Sequence, residues 1–450
     1  LEEDIDNAMS EFFEYNKPDL ECKYRILVWP NITYSEDLEK DSYVVVLSNV
    51  IREVNKIIPG VFWTIVTPEE VKSLKFDNTE QLIYNFPTYP NSMRIHFDFK
   101  KVMDLIDWRR NDYDLVYTHL PEHTLQLSNL FNNQTNIRPK FIGYCHWYEV
   151  DENTAYPKNV FMNNIAGTLE MQECGVNSKW LKKLVLERAK KYYSDSVIKD
   201  LDRIIQPHYL GTDSDPAATT DVIPRSILFN HRPNEYTGWN DFLRNMDSLY
   251  KVRQDFTVYV TLAEQERPYI KKVCLNRKGY SDFLKQMHMG VGFFKNYSAW
   301  SLSVTDGMSR GVPYLLPDKL CYPEMVGKDY PLFFNNESQF IVKIGEALDN
   351  PNFRKDHHEV LNNVVKNLTW ENTVSKWFNG WDLFEFDKLT KDTPRYNDIL
   401  DLIKTRGTVS KETLMDFLGW GINIPMAPYR NRLRDEPNIK FLKDGYQYNN

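Results

Sequence analysis

The run Tyr24-Arg25-Ile26-Leu27-Val28-Trp29, then the amphipathic stretch Val44 to Ile58, then Phe62-Trp63-Thr64-Ile65-Val66, decides the fold class. A short unbroken apolar run suits a strand buried on both faces. A longer helical pattern between two such runs makes a β-α-β unit. The rhythm continues through Asp114-Leu115-Val116-Tyr117-Thr118-His119, a helical stretch near Thr124 to Phe131, and Lys140-Phe141-Ile142-Gly143-Tyr144-Cys145. A parallel sheet with helices on both faces follows. Gly175-Val176-Asn177-Ser178 opens a helix over Lys179 to Tyr193, and Arg203-Ile204-Ile205-Gln206-Pro207 reads as another strand.

Gly211-Thr212-Asp213-Ser214-Asp215-Pro216 breaks both periodicities and marks a domain boundary. A second α/β unit begins there, with strands expected at Ser226 to Asn230, Phe256 to Thr261, Met289 to Phe293 and Pro313 to Leu316. Two such domains imply an interdomain cleft, where α/β folds place ligands. Helices from Trp370 to Leu389 close the unit, and Thr390-Lys391-Asp392-Thr393-Pro394 links it to a third. The expected division is 1–210, 211–389 and 395–450.

Composition agrees with this layout. At 450 residues, 42% hydrophobic and 26% charged, the chain is too long for one ordinary core and too apolar for disorder. A net charge of -8 argues against wholesale nucleic-acid coating and leaves room for a local basic face. No run approaches the roughly eighteen apolar residues of a membrane span. Glu2, Glu3, Asp4, Asp6 and Glu11 near the start speak against a signal peptide, so a cytoplasmic protein is expected. Five scattered cysteines without a CxxC pair argue against a disulfide framework or a Cys-rich zinc site.

The most informative chemistry lies in Ser301-Leu302-Ser303-Val304-Thr305-Asp306-Gly307-Met308-Ser309-Arg310-Gly311-Val312-Pro313, followed by Glu324. Small hydroxyl residues opening a helix leave backbone N–H groups free, and with the helix dipole these suit a diphosphate. Asp306, one turn in, is placed to accept from ribose hydroxyls. Taken alone, the stretch is equally an N-capped helix entering a Gly-Val-Pro turn.

This stretch resembles the nucleotide-sugar motif of GT-B retaining glycosyltransferases, with Asp306 where the family usually has Glu. Val176-Asn177-Ser178-Lys179-Trp180 is similar to the family's Asn-Ser segment, and Gln206-Pro207-His208-Tyr209-Leu210-Gly211-Thr212-Asp213 to its interdomain hinge. Phe229-Asn230-His231-Arg232 with Gly238 resembles the donor-phosphate strand end. The resemblance spans about residues 23 to 385 and implies two Rossmann-like domains and a UDP-sugar donor, with no required cofactor or catalytic metal. It assigns donor binding to His231, Arg232, Ser301, Leu302, Ser303 and Asp306. His146, just beyond a strand end, corresponds to a His that borders the sugar, and if an enzyme base is used, His146, Glu149 and Asp151 are its candidates. Three departures stand out. Ser298 holds the position of the first of the family's paired acids, Thr237 replaces the Lys after the phosphate Arg, and Trp29-Pro30-Asn31-Ile32-Thr33 replaces a glycine-rich loop.

After Pro394 the pattern changes to helices over Tyr396 to Thr405, Lys411 to Leu418 and from about Ala427 to Arg434. A hairpin signal follows at Asn438 to Tyr448. Three helices plus a hairpin resemble a winged helix. Arg430, Arg432, Arg434, Lys440 and Lys443 make this segment basic, and they are the expected duplex-DNA contacts. The domain combination resembles bacteriophage enzymes that glycosylate hydroxymethylated pyrimidines such as 5-hydroxymethylcytosine in duplex DNA, in the host cytoplasm. Two other readings stay open: a polysaccharide or small-molecule glycosyltransferase whose tail binds a protein partner, and an inactive GT-B scaffold that binds DNA.

Overall fold

The computed structural model describes residues 22–32, 41–58, 60–68, 71, 76–84, 94, 96–106, 113–135, 139–150, 158–213, 221–262, 267–380, 396–418 and 427–449. The 390–394 linker and Asp151 lie outside the described residues. In the first half, strands β1 (Tyr24–Trp29), β2 (Val61–Thr67), β3 (Thr79–Ile83), β4 (Leu115–Thr118), β5 (Lys140–Cys145), β6 (Glu173–Val176) and β7 (Ile205–Pro207) form a seven-stranded sheet in the order β3-β2-β1-β4-β5-β6-β7. Helices α1 (Ser42–Ile57), α2 (Phe99–Leu105), α3 (Pro121–Thr135), α4 (Lys158–Thr168), α5 (Lys179–Ala189) and α6 (Asp195–Ile204) lie between the strands in chain order, the last two both between β6 and β7. β1 pairs in parallel with both β2 and β4, and Ile26 through Trp29 are buried, as a central parallel strand requires. Asp41 starts α1 by accepting from the Tyr43 and Val44 N–H groups.

The second sheet holds β8 (Ile223–Phe229), β9 (Thr257–Val260), β10 (Ile270–Lys272), β11 (Met287–Val291), β12 (Tyr314–Pro317) and β13 (Phe333–Phe334) in the order β10-β9-β8-β11-β12-β13. Its helices are α7 (Trp239–Tyr250), α8 (Arg277–Lys285), α9 (Leu302–Ser309), α10 (Tyr322–Val326), α11 (Glu337–Asp349), α12 (Phe353–Val365) and α13 (Trp370–Gly380). The pairings that build this sheet are parallel. The strand order reverses between β8 and β11, which is the topological switch point where open α/β sheets receive ligands.

The last described segment contains α14 (Tyr396–Arg406), β14 (Thr408–Ser410), α15 (Lys411–Leu418), α16 (Ala427–Leu433), β15 (Ile439–Leu442) and β16 (Gly445–Tyr448), with a small antiparallel sheet ordered β14-β16-β15. Its own core joins Tyr396, Ile399, Ile403, Leu414, Leu433, Phe441 and Tyr446.

The chain divides into two compact units. One comprises 1–144, 152–174 and 381–450, and the other 145–151 and 175–380. The C-terminal segment therefore belongs to the same unit as β1 and β4, where the sequence led us to expect a third domain. Its attachment is polar and buried. The Cys22 N–H donates to the Phe441 carbonyl at 2.7 Å, and Arg25 Nη1 reaches the Lys443 carbonyl at 3.0 Å. Arg434 Nη2 lies 2.5 Å and Arg430 Nη1 3.4 Å from Asp114 Oδ2. Arg430 also donates to the Cys22 carbonyl and Arg434 to the Lys23 carbonyl.

These contacts correct the expectation for two of the five basic residues. Arg430 and Arg434 are buried partners of Asp114 and carry no charge to a surface where phosphates would meet it. Arg432 lies over the Tyr396 ring at 4.0 Å, Lys443 pairs with Glu80 at 3.3 Å, and Lys440 is half-buried.

Candidate active site

The site is built at the C-terminal end of β8 and the start of α9, both in the second unit. After Phe229 the chain turns sharply enough for Gly238 to cap α7 at φ 70°, where a Cβ would stand 1.9 Å from the Phe293 carbonyl. Thr237, the residue in the family's Lys position, is buried and knots this loop. Its hydroxyl donates toward the Arg232 and Asn234 carbonyls at 2.7 and 2.8 Å and accepts from the Asn234 N–H at 3.2 Å. Thr237 thus fixes the turn through hydrogen bonds to its backbone. Arg232 stands exposed on that turn.

His231 is buried, and its Nε2 lies 3.1 Å from the Val291 carbonyl, tying β8 to β11 across the switch point. Burial lowers its pKa to about 4, so the neutral ring donates to that carbonyl. The bond and the edge contacts with Phe229 and Phe294 make His231 a support for the loop that carries Arg232.

Ser301 caps α9, its hydroxyl accepting from Val304 N–H, and the Val304 and Thr305 N–H groups both reach the Ser301 carbonyl. The Leu302 and Ser303 N–H groups precede this first intrahelical bond and form the polar head of the helix. Asp306 is half-buried and accepts from the Thr212 hydroxyl at 3.2 Å. Ser298 is buried 3.6 Å from Cys321 Sγ, so the position of the family's first acid belongs to the packing around a thiol whose pKa burial raises to about 12.

Residues 145–151 belong to this same unit, which gathers the expected catalytic and donor residues, apart from undescribed Asp151, into one body. His146 is buried, and burial lowers its pKa to about 3. It is neutral at physiological pH and suited to hydrogen bonding more than to proton abstraction. Glu149 is buried too, with its carbonyl accepting from Arg188. Trp147 packs on Tyr297 at 4.1 Å and on Tyr236 at 6.0 Å, connecting the His146 segment to the loops around Thr237 and Ser298.

Several residues, some of them quoted within the sequence motifs, received no site role from the sequence. Glu324 accepts from the Lys179 and Trp180 N–H groups at 2.7 and 3.1 Å and from the Tyr209 hydroxyl at 2.8 Å, so it caps α5. Tyr209 stacks on Trp300 at 5.1 Å with 12° between the planes. Asn230 joins three elements, and Arg354 donates to the Gly311 and Arg310 carbonyls at the far end of α9. No local pattern announces such bonds, because each partner lies on a distant element. Beside the strand ends a cavity of about 210 Å³ is lined by Phe293, Phe294, Lys295, Pro317 and Lys319, among others.

No protein-family model matches the sequence, and neither does any curated protein. Solved structures do. Sucrose-phosphate synthase from Thermosynechococcus elongatus is 12% identical with a TM-score of 0.60, over 79% of this chain and 98% of that one. A glycosyltransferase from Rickettsia africae is 16% identical with a TM-score of 0.59, over 81% and 100%. HepE from Anabaena, solved with UDP and glucose, is 8% identical with a TM-score of 0.57, over 80% and 100%. At such identities the likeness establishes the fold, an α/β architecture of parallel sheets shared with GT-B glycosyltransferases.

Proposed function

We propose that this protein is a glycosyltransferase that takes its sugar from a UDP-sugar and transfers it with retention. The observation that carries the reading is the β8–β11 switch point, where the exposed Arg232 follows β8 and the head of α9, the helix that carries Asp306, is tied to the end of β8 by the Asn230–Ser303 hydrogen bond. An arginine grips two phosphate oxygens and stabilises the charge that grows on a leaving diphosphate. The Leu302 and Ser303 N–H groups supply neutral donors to the same anion, and Asp306 accepts from the ribose. The choice of UDP as the nucleotide is supported by HepE, a protein of the same fold that was solved with UDP and glucose.

Retention follows if the acceptor hydroxyl attacks from the leaving-group face, with the diphosphate taking its proton. A neutral, buried His146 fits this route, since it holds a sugar hydroxyl by hydrogen bonding and no protein base is needed. On this route neither Glu149 nor Asp151 is called on to accept the proton.

For the acceptor we propose a hydroxymethylated pyrimidine in duplex DNA. The C-terminal order of helix, strand, two helices and a hairpin supports it through its resemblance to a winged helix, and Lys404 and Arg406 are exposed on α14. The burial of Arg430 and Arg434 favours a second reading, a polysaccharide or small-molecule acceptor with the tail serving as part of the first unit. Labelled UDP-sugars incubated with duplex DNA, with and without 5-hydroxymethylcytosine, decide between them. Label on the modified duplex alone supports the DNA acceptor. Turnover of UDP-sugar with no label on DNA supports the second reading, and no use of any UDP-sugar refutes the enzyme.

A further inference from the structure

Asn230 is the first residue beyond β8, and its side chain is buried where four elements meet. Its Nδ2 donates to the Tyr280 hydroxyl on α8 at 2.7 Å and to the Ser303 carbonyl in the first turn of α9 at 2.9 Å. Its Oδ1 lies 3.1 Å from the Tyr314 hydroxyl of β12, and that hydroxyl also stands 3.2 Å from the Ser303 carbonyl. Tyr314 reaches this point because Gly307 leaves space under α9, where a Cβ would lie 2.3 Å from the phenolic oxygen. Both amide hydrogens and one lone pair of Asn230 are thereby used, and the carboxamide alone has the donors and acceptor needed.

Resting on the donor-site reading above, we propose that Asn230 is a positioning residue for the nucleoside diphosphate. It fixes the Ser303 peptide, and with it the head of α9, relative to the turn two residues on that carries Arg232. An anion held at once by backbone N–H groups and a guanidinium needs both to stand at a set separation. A buried carboxamide bonded to the helix on one side and continuous with the Arg232 turn on the other supplies that separation. Asp at this position keeps the shape but turns an oxygen toward the Ser303 carbonyl, which can only accept, so the bond that fixes that peptide is lost. Ala removes all three bonds.

The test is calorimetric titration of UDP into the full-length wild type, Asn230→Asp, Asn230→Ala, Tyr280→Phe and Arg354→Ala, with a thermal melt of each. Arg354 is the control for structure alone, because it holds the opposite end of the same helix. Asn230→Asp and Asn230→Ala are expected to bind UDP roughly ten- to fiftyfold more weakly in their folded fraction. Tyr280→Phe should lose about two- to fivefold, covering the case in which the Asn230 variants do not fold. Arg354→Ala should melt earlier with its UDP affinity within about twofold of wild type. If wild type binds UDP and the Asn230 variants, or Tyr280→Phe where those do not fold, bind it equally well, the positioning role is wrong and the donor site stands. If wild type itself does not bind UDP, the donor-site reading is overturned and this inference with it.

Discussion

Arginines gather at opposite ends of the two parallel sheets, with opposite consequences. Arg232 follows the C-terminal end of β8 and is exposed, on a loop fixed by Thr237 and His231. Arg430 and Arg434 meet Asp114, which immediately precedes β4, and the residues Cys22 and Lys23 that lead into β1. They therefore cover the N-terminal edge of the first sheet. In parallel sheets the C-terminal edge receives ligands, while the N-terminal edge is free to be closed by other parts of the chain. Composition does not tell these arginines apart. Position along the strand does.

The largest effect tests the closed edge. Asp114 accepts from the Arg25 N–H at 2.9 Å as well as pairing with Arg430 and Arg434, and it is buried. Removing one member of a buried ionic cluster leaves uncompensated charge, at a cost of about 3 to 5 kcal/mol. Asp114→Ala should therefore lower the stability of the first unit, read from its denaturant midpoint, by a matching amount. A loss below about 1 kcal/mol would mean that solvent already screens these charges, and the contrast between the two edges would fail.

At the ligand edge the expected effect is smaller and of another kind. Arg232→Ala should lower kcat/KM for the UDP-sugar about ten- to a hundredfold, the cost of one charged hydrogen bond in the transition state. Asp306→Ala should behave similarly toward donor, with a small loss of stability from its bond to Thr212. An Arg232 variant with wild-type donor kinetics would leave the switch point without its phosphate ligand.

How much of this was legible depends on the range of the interaction. The buried parallel strands, the Ser301 cap and the helix starting at Ala427 follow from local patterns, in which burial on two faces, an N–H to satisfy or a proline leaves a mark within a few residues. The basic excess near the C-terminus was equally visible, but its direction was not. Asp114 and the Cys22 and Lys23 carbonyls decide it, and nothing in Arg430 to Arg434 refers to partners so far upstream. Asn230 was visible as part of Phe229-Asn230-His231-Arg232, while Tyr280, Ser303 and Tyr314 enter only when the sheet is assembled.

Buried histidines give a third test of the ligand edge. His146 and His231 have folded pKa values lowered by burial to about 3 and 4, below the ordinary 6.5. The unfolded chain therefore binds more protons. Their contribution is intact above about pH 6.5 and falls away as the pH drops toward the folded values, by roughly 2 kcal/mol each at pH 5. His231→Asn should be less stable than wild type at pH 7.5 and should lose less on going to pH 5. Parallel pH profiles for the two proteins would show that His231 is not buried neutral, and the support it gives the Arg232 loop would need another explanation.

The smallest expected change in stability belongs to the basic residues left near the surface. Lys443 is 53% exposed in its pair with Glu80, so Lys443→Ala should cost no more than about 0.5 kcal/mol. Arg432→Ala should cost about 0.5 to 1 kcal/mol, since its guanidinium no longer covers the Tyr396 ring. Such quiet positions are the right ones for asking about DNA, because a change in affinity cannot be blamed on unfolding, as it would be for Arg430 or Arg434. If Arg432, Lys440 and Lys443 meet phosphates, the triple alanine variant should bind duplex more weakly. Its log-log salt dependence should then flatten by about 0.9 for each phosphate that the variant leaves without its cation. Lys404→Ala with Arg406→Ala probes α14 in the same way. A flattened slope in the first variant places the duplex on the hairpin side of the C-terminal segment, and one in the second places it along α14. Unchanged slopes in both would leave this segment no electrostatic hold on DNA. Its work would then be to close the N-terminal edge of the first sheet, and the small-molecule or polysaccharide acceptor would become the better reading.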